Sequence, residues 1–181
     1  FSDLALRQDG AAFLPDVGAV VLDEAHMVED TASEHLGLRL STYGFEHWLR
    51  RLFVPESGKG LLGYLRAGAA ARVATELWPA VADLFHEVPR LVGLGPHDGQ
   101  KVVAQPLQLV TNVPELMHQL STELEILGED LVGQDEDSRA ELRSLRGQGI
   151  ALSKMLEAFL DQSMPDHVYW LEREGRRRQP V

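Results

Sequence analysis

Cysteine is absent from the 181 residues. That excludes a disulfide framework, a zinc–thiolate site and iron–sulfur ligation within this chain. Long apolar runs are absent too. Nothing approaches the roughly 20 consecutive residues a membrane helix needs, so no membrane partner is expected. The start, Phe1-Ser2-Asp3, has neither the basic region of a signal peptide nor an initiator Met, and the expectation is a piece of a longer cytoplasmic protein. Basic charge is in short supply, with 17 Lys and Arg against 28 Asp and Glu and a net charge of −11. A chain of that balance opposes tight nucleic-acid binding by its surface as a whole. No His-Glu-x-x-His is present around His35 or His47, and no Ser-His-Asp arrangement can be argued from spacing. A phosphate-cradling Gly-x-x-x-x-Gly-Lys-Ser/Thr loop is also missing. Ser57-Gly58-Lys59-Gly60 imitates one, but Phe53 stands where its first Gly belongs and Gly60 where its hydroxyl belongs.

What is present is mostly helical pattern. Residues 43–53 fit a helix with Ser41 or Thr42 as N-cap, broken at Pro55-Glu56-Ser57-Gly58. Leu61, Leu62 and Leu65 start another. Ala67, Ala70, Ala74, Trp78, Val81, Phe85, Val88 and Val92 then form one stripe at spacings of three and four, with Pro79 and Pro89 as points where the helix kinks or ends. Met117, Leu120, Leu124, Leu127 and Leu131 make a second stripe. Leu142, Leu145, Gly149, Leu152, Leu156 and Phe159 make a third. The polar link Gly133 to Asp137 joins the last two stripes as an antiparallel helical hairpin, and Gly149 on the seam predicts close approach of the partner backbone. Strand candidates are few: 17–22, then 168–171, with 38–41 and 101–104 as weaker ones.

Charge is segregated along the chain. Residues 39–72 hold Arg39, Arg50, Arg51, Lys59, Arg66 and Arg72 against Glu46 and Glu56, a balance of +4. Residues 115–137 hold eight acids and no Lys or Arg, a balance of −8. A polyanion is expected to meet the first segment and avoid the second, unless both are simply solvated helix faces. Tyr43, Phe45, Trp48 and Phe53 interleave with Arg50 and Arg51, a mixture suited to single-stranded bases and phosphates. Most of these aromatics also fit a plain core face, which leaves Arg50 and Arg51 outside it.

The most specific feature is Asp23-Glu24-Ala25-His26 behind the apolar run Val17 to Leu22. A strand apolar on both faces belongs in a covered parallel sheet, and it would deliver two carboxylates to its C-terminal edge. There Asp23 can hold Mg²⁺ through water, Glu24 can accept a proton from an attacking water, and His26 can report nucleotide state to a neighbouring domain. The plainer alternative makes Asp23 an N-cap and Glu24 a first-turn acid favoured by the helix dipole.

Leu14-Pro15-Asp16, the apolar run, the Asp-Glu-Ala-His box and the acidic Met27 to Ser33 segment together resemble motif II of the DinG/XPD-like superfamily 2 DNA helicases. Phe1 to Leu6 is similar to the helix upstream of it in bacterial members, and Val168 to Glu172 resembles the strand that re-enters the first motor domain. The resemblance spans most of the chain, tightly at 14–33 and loosely through the helical middle. It implies a mainly α fold: a helical Arch-like insertion at 38–165, with a long antiparallel hairpin, flanked at 1–37 and 166–181 by short strands of a RecA-like α/β motor. It further implies a bacterial ATP-dependent 5′-to-3′ helicase. Asp23 and Glu24 would serve Mg²⁺ and ATP, Glu24, Asp23 and His26 would be the catalytic set, and single-stranded DNA would pass near Arg50, Arg51, Lys59 and Arg66. Many members carry an iron–sulfur cluster, for which this chain has no ligands. Without a phosphate loop or the later helicase motifs, the chain alone is expected to be inactive as an ATPase. The alternative is a helical module that docks protein partners, with the acidic 115–137 region as its contact surface.

Overall fold

The computed structural model describes residues 14–15, 18–21, 23–28, 31, 37–95, 98–131, 135–165 and 167–173. The expectations placed on Phe1 to Leu6, on most of the Met27 to Ser33 segment, on His35 and on Gly133 and Gln134 of the polar link lie outside the described residues. The chain divides into two compact units, 1–39 and 40–181.

In the first unit the described residues form no strand. Gly18 to Val21 are without ladder pairing, and Val20 and Val21 are 69% and 95% exposed. The buried strand expected at 17–22 is therefore not formed over its described part. An apolar run becomes a covered strand only where other strands accept its hydrogen bonds and helices cover its faces. Ala25–Met27 is a single 3₁₀ turn.

The second unit is mainly helical. Its first helix, α1 (Thr42–Leu52), is capped by Ser41, whose Oγ accepts from the Gly44 N–H at 3.0 Å. It buries Phe45, Trp48, Leu49 and Leu52 at the three-and-four spacing of one face. A short α2 (Leu61–Tyr64) follows a tight turn, and α3 (Gly68–Val92) runs on without a break. Pro79 and Pro89 both lie inside α3, so of the two expected effects, kink or end, neither proline ends the helix. Each removes a backbone hydrogen bond at a cost of about 3 kcal/mol. The buried stripe nevertheless continues in phase across Pro79 and up to Pro89, through Ala70, Ala74, Leu77, Val81, Leu84 and Val88. Its centre is Leu77 and Leu84 rather than the expected Trp78 and Phe85, which are half-buried at its margin. A Schellman motif ends α3: Gly93 sits at φ 71°, its N–H donates to Arg90 O, and the Leu94 N–H donates to Pro89 O.

The expected hairpin is formed by α4 (Val113–Asp130) and α5 (Glu136–Asp161). Leu116, Met117, Leu120 and Leu124 pack into one core with Leu142, Leu145 and Leu156. Arg146 ties the pair from the side, donating to Ser121 O at 3.1 Å and meeting Glu125 at 2.8 Å. Gly149 does serve a close approach, but to a side chain from α1: a Cβ there would fall 2.5 Å from Trp48 Cζ2. The indole is 3% exposed, and its Nε1–H donates to Leu145 O at 2.8 Å.

Strands β1 (Gln100–Val102) and β2 (Trp170–Glu172) pair antiparallel, with Lys101 opposite Leu171. The segment expected to return to a motor sheet thus pairs here with a strand from the middle of the chain. Gln162, left-handed at φ 49°, ends α5 and donates through Nε2 to Val103 O at 2.7 Å, which anchors the ribbon to the hairpin. The weak strand expected at 38–41 is not formed. No described helix is long and apolar enough to cross a membrane.

Candidate functional site

Two places collect the residues to which chemistry was assigned. The first is the Asp-Glu-Ala-His box. Asp23 Oδ1 accepts from the Glu24 N–H at 2.9 Å, Glu24 sits in the left-handed region at φ 51°, and its carbonyl accepts from the Met27 N–H at 2.8 Å. The left-handed step costs a non-glycine residue about 1 kcal/mol or more. It turns the Glu24 carboxylate back over the turn, where Oε2 lies 3.3 Å from His26 Nδ1. The Glu24–His26 pair is well exposed, at 67% and 73%. The box therefore brings Asp23, Glu24 and His26 together as a local turn. Oxygen donors of this kind suit the water shell of a hard divalent cation. Two carboxylates fall short of a closed metal site, and among the described residues no three His, Cys, Asp or Glu side chains gather as one.

The loop that imitates a phosphate cradle is a tight turn closed by a bridge between Val54 and Lys59. The N–H groups of Ser57 and Gly58 donate to Val54 O, and that of Lys59 donates to Ser57 Oγ at 3.4 Å. A cradle needs its amide hydrogens turned outward, and these are used within the turn. Gly60 is required at φ 111°, where a Cβ would fall 2.5 Å from Leu52 O.

The second place is an open depression of about 530 Å³ on the second unit, lined by Arg50, Arg51, Tyr64, Asp135, Asp137 and Glu141 among others. Burial of Phe45, Trp48 and Leu49 sends Arg50 and Arg51 to the outer face of α1, as the pattern predicts. They do not stand there as bare cations. Arg51 Nη2 lies 3.4 Å from Glu141 Oε1, and Arg50 Nη2 lies 3.1 Å from Glu46 Oε2. The acids come from the start of α5, where Asp135 is the N-cap and accepts from the Ser138 N–H at 3.0 Å. Hydrogen bonds from the Ser138 backbone and hydroxyl hold the Asp135 carboxyl below its ordinary value of 3.8. The segregation of charge along the sequence is thus undone in space at this spot, because α1 and α5 pack side by side.

Lys59 and Arg66, the other two cations assigned to nucleic acid, flank α2 and are exposed, with Arg66 left-handed at φ 53°. Of the aromatics, Phe45 and Trp48 are core and Phe53 is half-buried. Tyr43 is exposed and stacks on His47, ring centres 5.9 Å apart. Glu141 and Tyr64 escaped the reading of the sequence. Glu141 lies 90 positions from Arg51, and no local spacing signals such a pairing. No protein-family model matches the chain, and neither curated proteins nor solved structures provide a match.

Proposed function

We propose that this chain is part of a bacterial, cytoplasmic ATP-dependent DNA helicase of the DinG type. In it the helical second unit is the Arch-like insertion framing single-stranded DNA. The observation that carries this reading is the order of parts: a Leu-Pro-Asp tripeptide, an apolar run and an Asp-Glu-Ala-His box, then a mainly helical body between Thr42 and Asp161. When bound, Mg²⁺·ATP supplies the phosphoryl group and the charge neutralisation of the reaction. This chain's share is small and local. Asp23 would hold Mg²⁺ through its water shell, Glu24 would accept a proton from the attacking water, and His26, 3.3 Å from the Glu24 carboxylate, would follow its state. Iron–sulfur ligands, if the parent has them, lie elsewhere in it.

The test is Glu24→Gln in the parent enzyme. Loss of single-stranded-DNA-stimulated ATP hydrolysis by about a hundredfold or more is expected, in the range of general acid–base contributions, with nucleotide binding kept. Unchanged hydrolysis would sink the assignment of Glu24. The 181-residue chain by itself is expected to show no steady-state ATPase.

A second reading, a helical module that docks a protein partner, is favoured by one observation: Arg51 already holds a carboxylate. Titration of single-stranded DNA at low salt separates the two. Binding that weakens steeply with salt and is lost in Arg50→Ala/Arg51→Ala supports the helicase reading.

A further inference from the structure

We propose that the acidic start of α5 is a built-in competitor that screens Arg50 and Arg51 from polyanions, so that single-stranded nucleic acid must break the Arg51–Glu141 pair and approach against the remaining carboxylates to reach α1. The inference rests on the reading of this unit as a nucleic-acid-facing insertion and names a control on that same surface. Three observations carry it. First, the ion pair of Arg51 is tertiary, formed at 3.4 Å with a carboxylate from another helix. Second, the same depression also holds the carboxylates of Asp135 and Asp137. Third, the anionic wall is fixed in place, because Asp135 caps α5 through Ser138 and cannot swing away without uncapping the helix.

The competitor is strong enough to matter and weak enough to yield. Exposed carboxylate pairs are exchangeable, and the side chains of Arg51 and Glu141 are 37% and 47% exposed. A phosphate offers more acceptor oxygens in a geometry that the guanidinium fork matches. Among the described residues Asp137 pairs with no cation, and from the same depression it repels an incoming phosphate, an effect that salt screens. Tyr64, whose ring is 73% exposed at the rim, offers a stacking face beside the two arginines. Local screening of this kind makes binding at α1 depend on a high local concentration of nucleic acid, as when a strand is already held by the rest of an enzyme.

The test is fluorescence anisotropy of a labelled oligothymidylate against the whole chain at low salt. The proteins are wild type, Asp137→Asn/Glu141→Gln, Arg50→Ala/Arg51→Ala, the two pairs combined, and Glu76→Gln/Glu115→Gln, which changes net charge as much as the first pair but away from the depression. Circular dichroism melts check that each is folded. Tightening of about threefold for each charge removed at the depression, near tenfold for the pair, is expected for unit charges several ångströms apart in water. The gain should vanish when the arginines are also removed. Equal affinity of wild type and Asp137→Asn/Glu141→Gln, with binding still lost in Arg50→Ala/Arg51→Ala, overturns the screen but leaves the nucleic-acid reading intact. So does an equal gain from Glu76→Gln/Glu115→Gln, which would mean net charge alone. Absence of binding by wild type and by Asp137→Asn/Glu141→Gln alike overturns the nucleic-acid reading and the screen with it.

Discussion

The turn around Asp23 and the joint between α1 and α5 are opposite cases of how a sequence signal becomes structure. At the turn, the hydrogen bonds among the described residues reach three residues or fewer along the chain, and the Glu24–His26 pair is open to water. At the joint, Trp48 is 3% exposed, donates to a carbonyl 97 positions away and fills the space that Gly149 leaves. The turn carries the residues with recognisable chemistry and little that holds them. The Trp48–Gly149 contact at the joint carries no candidate catalytic residue and is held from several sides. Chemical motifs are legible one residue at a time, whereas stability belongs to groups that meet only after folding.

That contrast can be broken first at the joint. Trp48→Ala is expected to cost about 3–5 kcal/mol, the range for removing a large buried aromatic, as read from urea denaturation followed by circular dichroism. Gly149→Ala sharpens the point from the other side and is expected to cost about 1–3 kcal/mol by overpacking against the indole. A loss below 1 kcal/mol for both would show that the joint is not what holds α1 to α5.

An intermediate effect is expected at the cap of α5. The native Asp135 carboxyl is held below its ordinary value by its bonds from Ser138, so folding favours the ionised form. Its contribution is complete above the unfolded-state value of about 3.9 and is lost as pH falls through the lower native value. Asp135→Ala should therefore lower the melting temperature at neutral pH, by less than Trp48→Ala does, and the gap should close below pH about 4. A gap that persists undiminished at lower pH would remove the ionised cap from the explanation.

The smallest effect belongs to the turn. Glu24→Gln in this chain is expected to change stability by no more than about 0.5 kcal/mol, as for exposed positions free of special constraints. A loss above 1 kcal/mol in the same denaturation experiment would mean that the Glu24–His26 contact is structural and would erase the contrast with the joint.

Helix patterns were largely legible. The stripes of α4 and α5 and the Ser41 cap follow from residue spacing, whereas of the polar link Asp135 caps α5 and Glu136 and Asp137 open it. The stripe of α3 was read one position off at Trp78 and Phe85, because a large aromatic at the edge of a face scores as strongly as a leucine at its centre. Whether Pro79 and Pro89 would end α3 was not legible, because propensity is local and packing along the buried stripe outweighs it. Of the candidate site, the outward position of Arg50 and Arg51 could be read from the burial pattern of α1. Their carboxylate neighbour Glu141 could not.

The sequence by itself determined that this chain makes long amphipathic helices, lacks thiol chemistry and carries an Asp-Glu-Ala-His box, since each of these is a property of residues near one another in the chain. Only the tertiary structure decided that Trp48 meets Gly149, that Arg51 meets Glu141, and that 170–172 pairs with 100–102. Those contacts join segments tens of residues apart, and which helix face meets which is set by the mutual fit of side chains across the whole core.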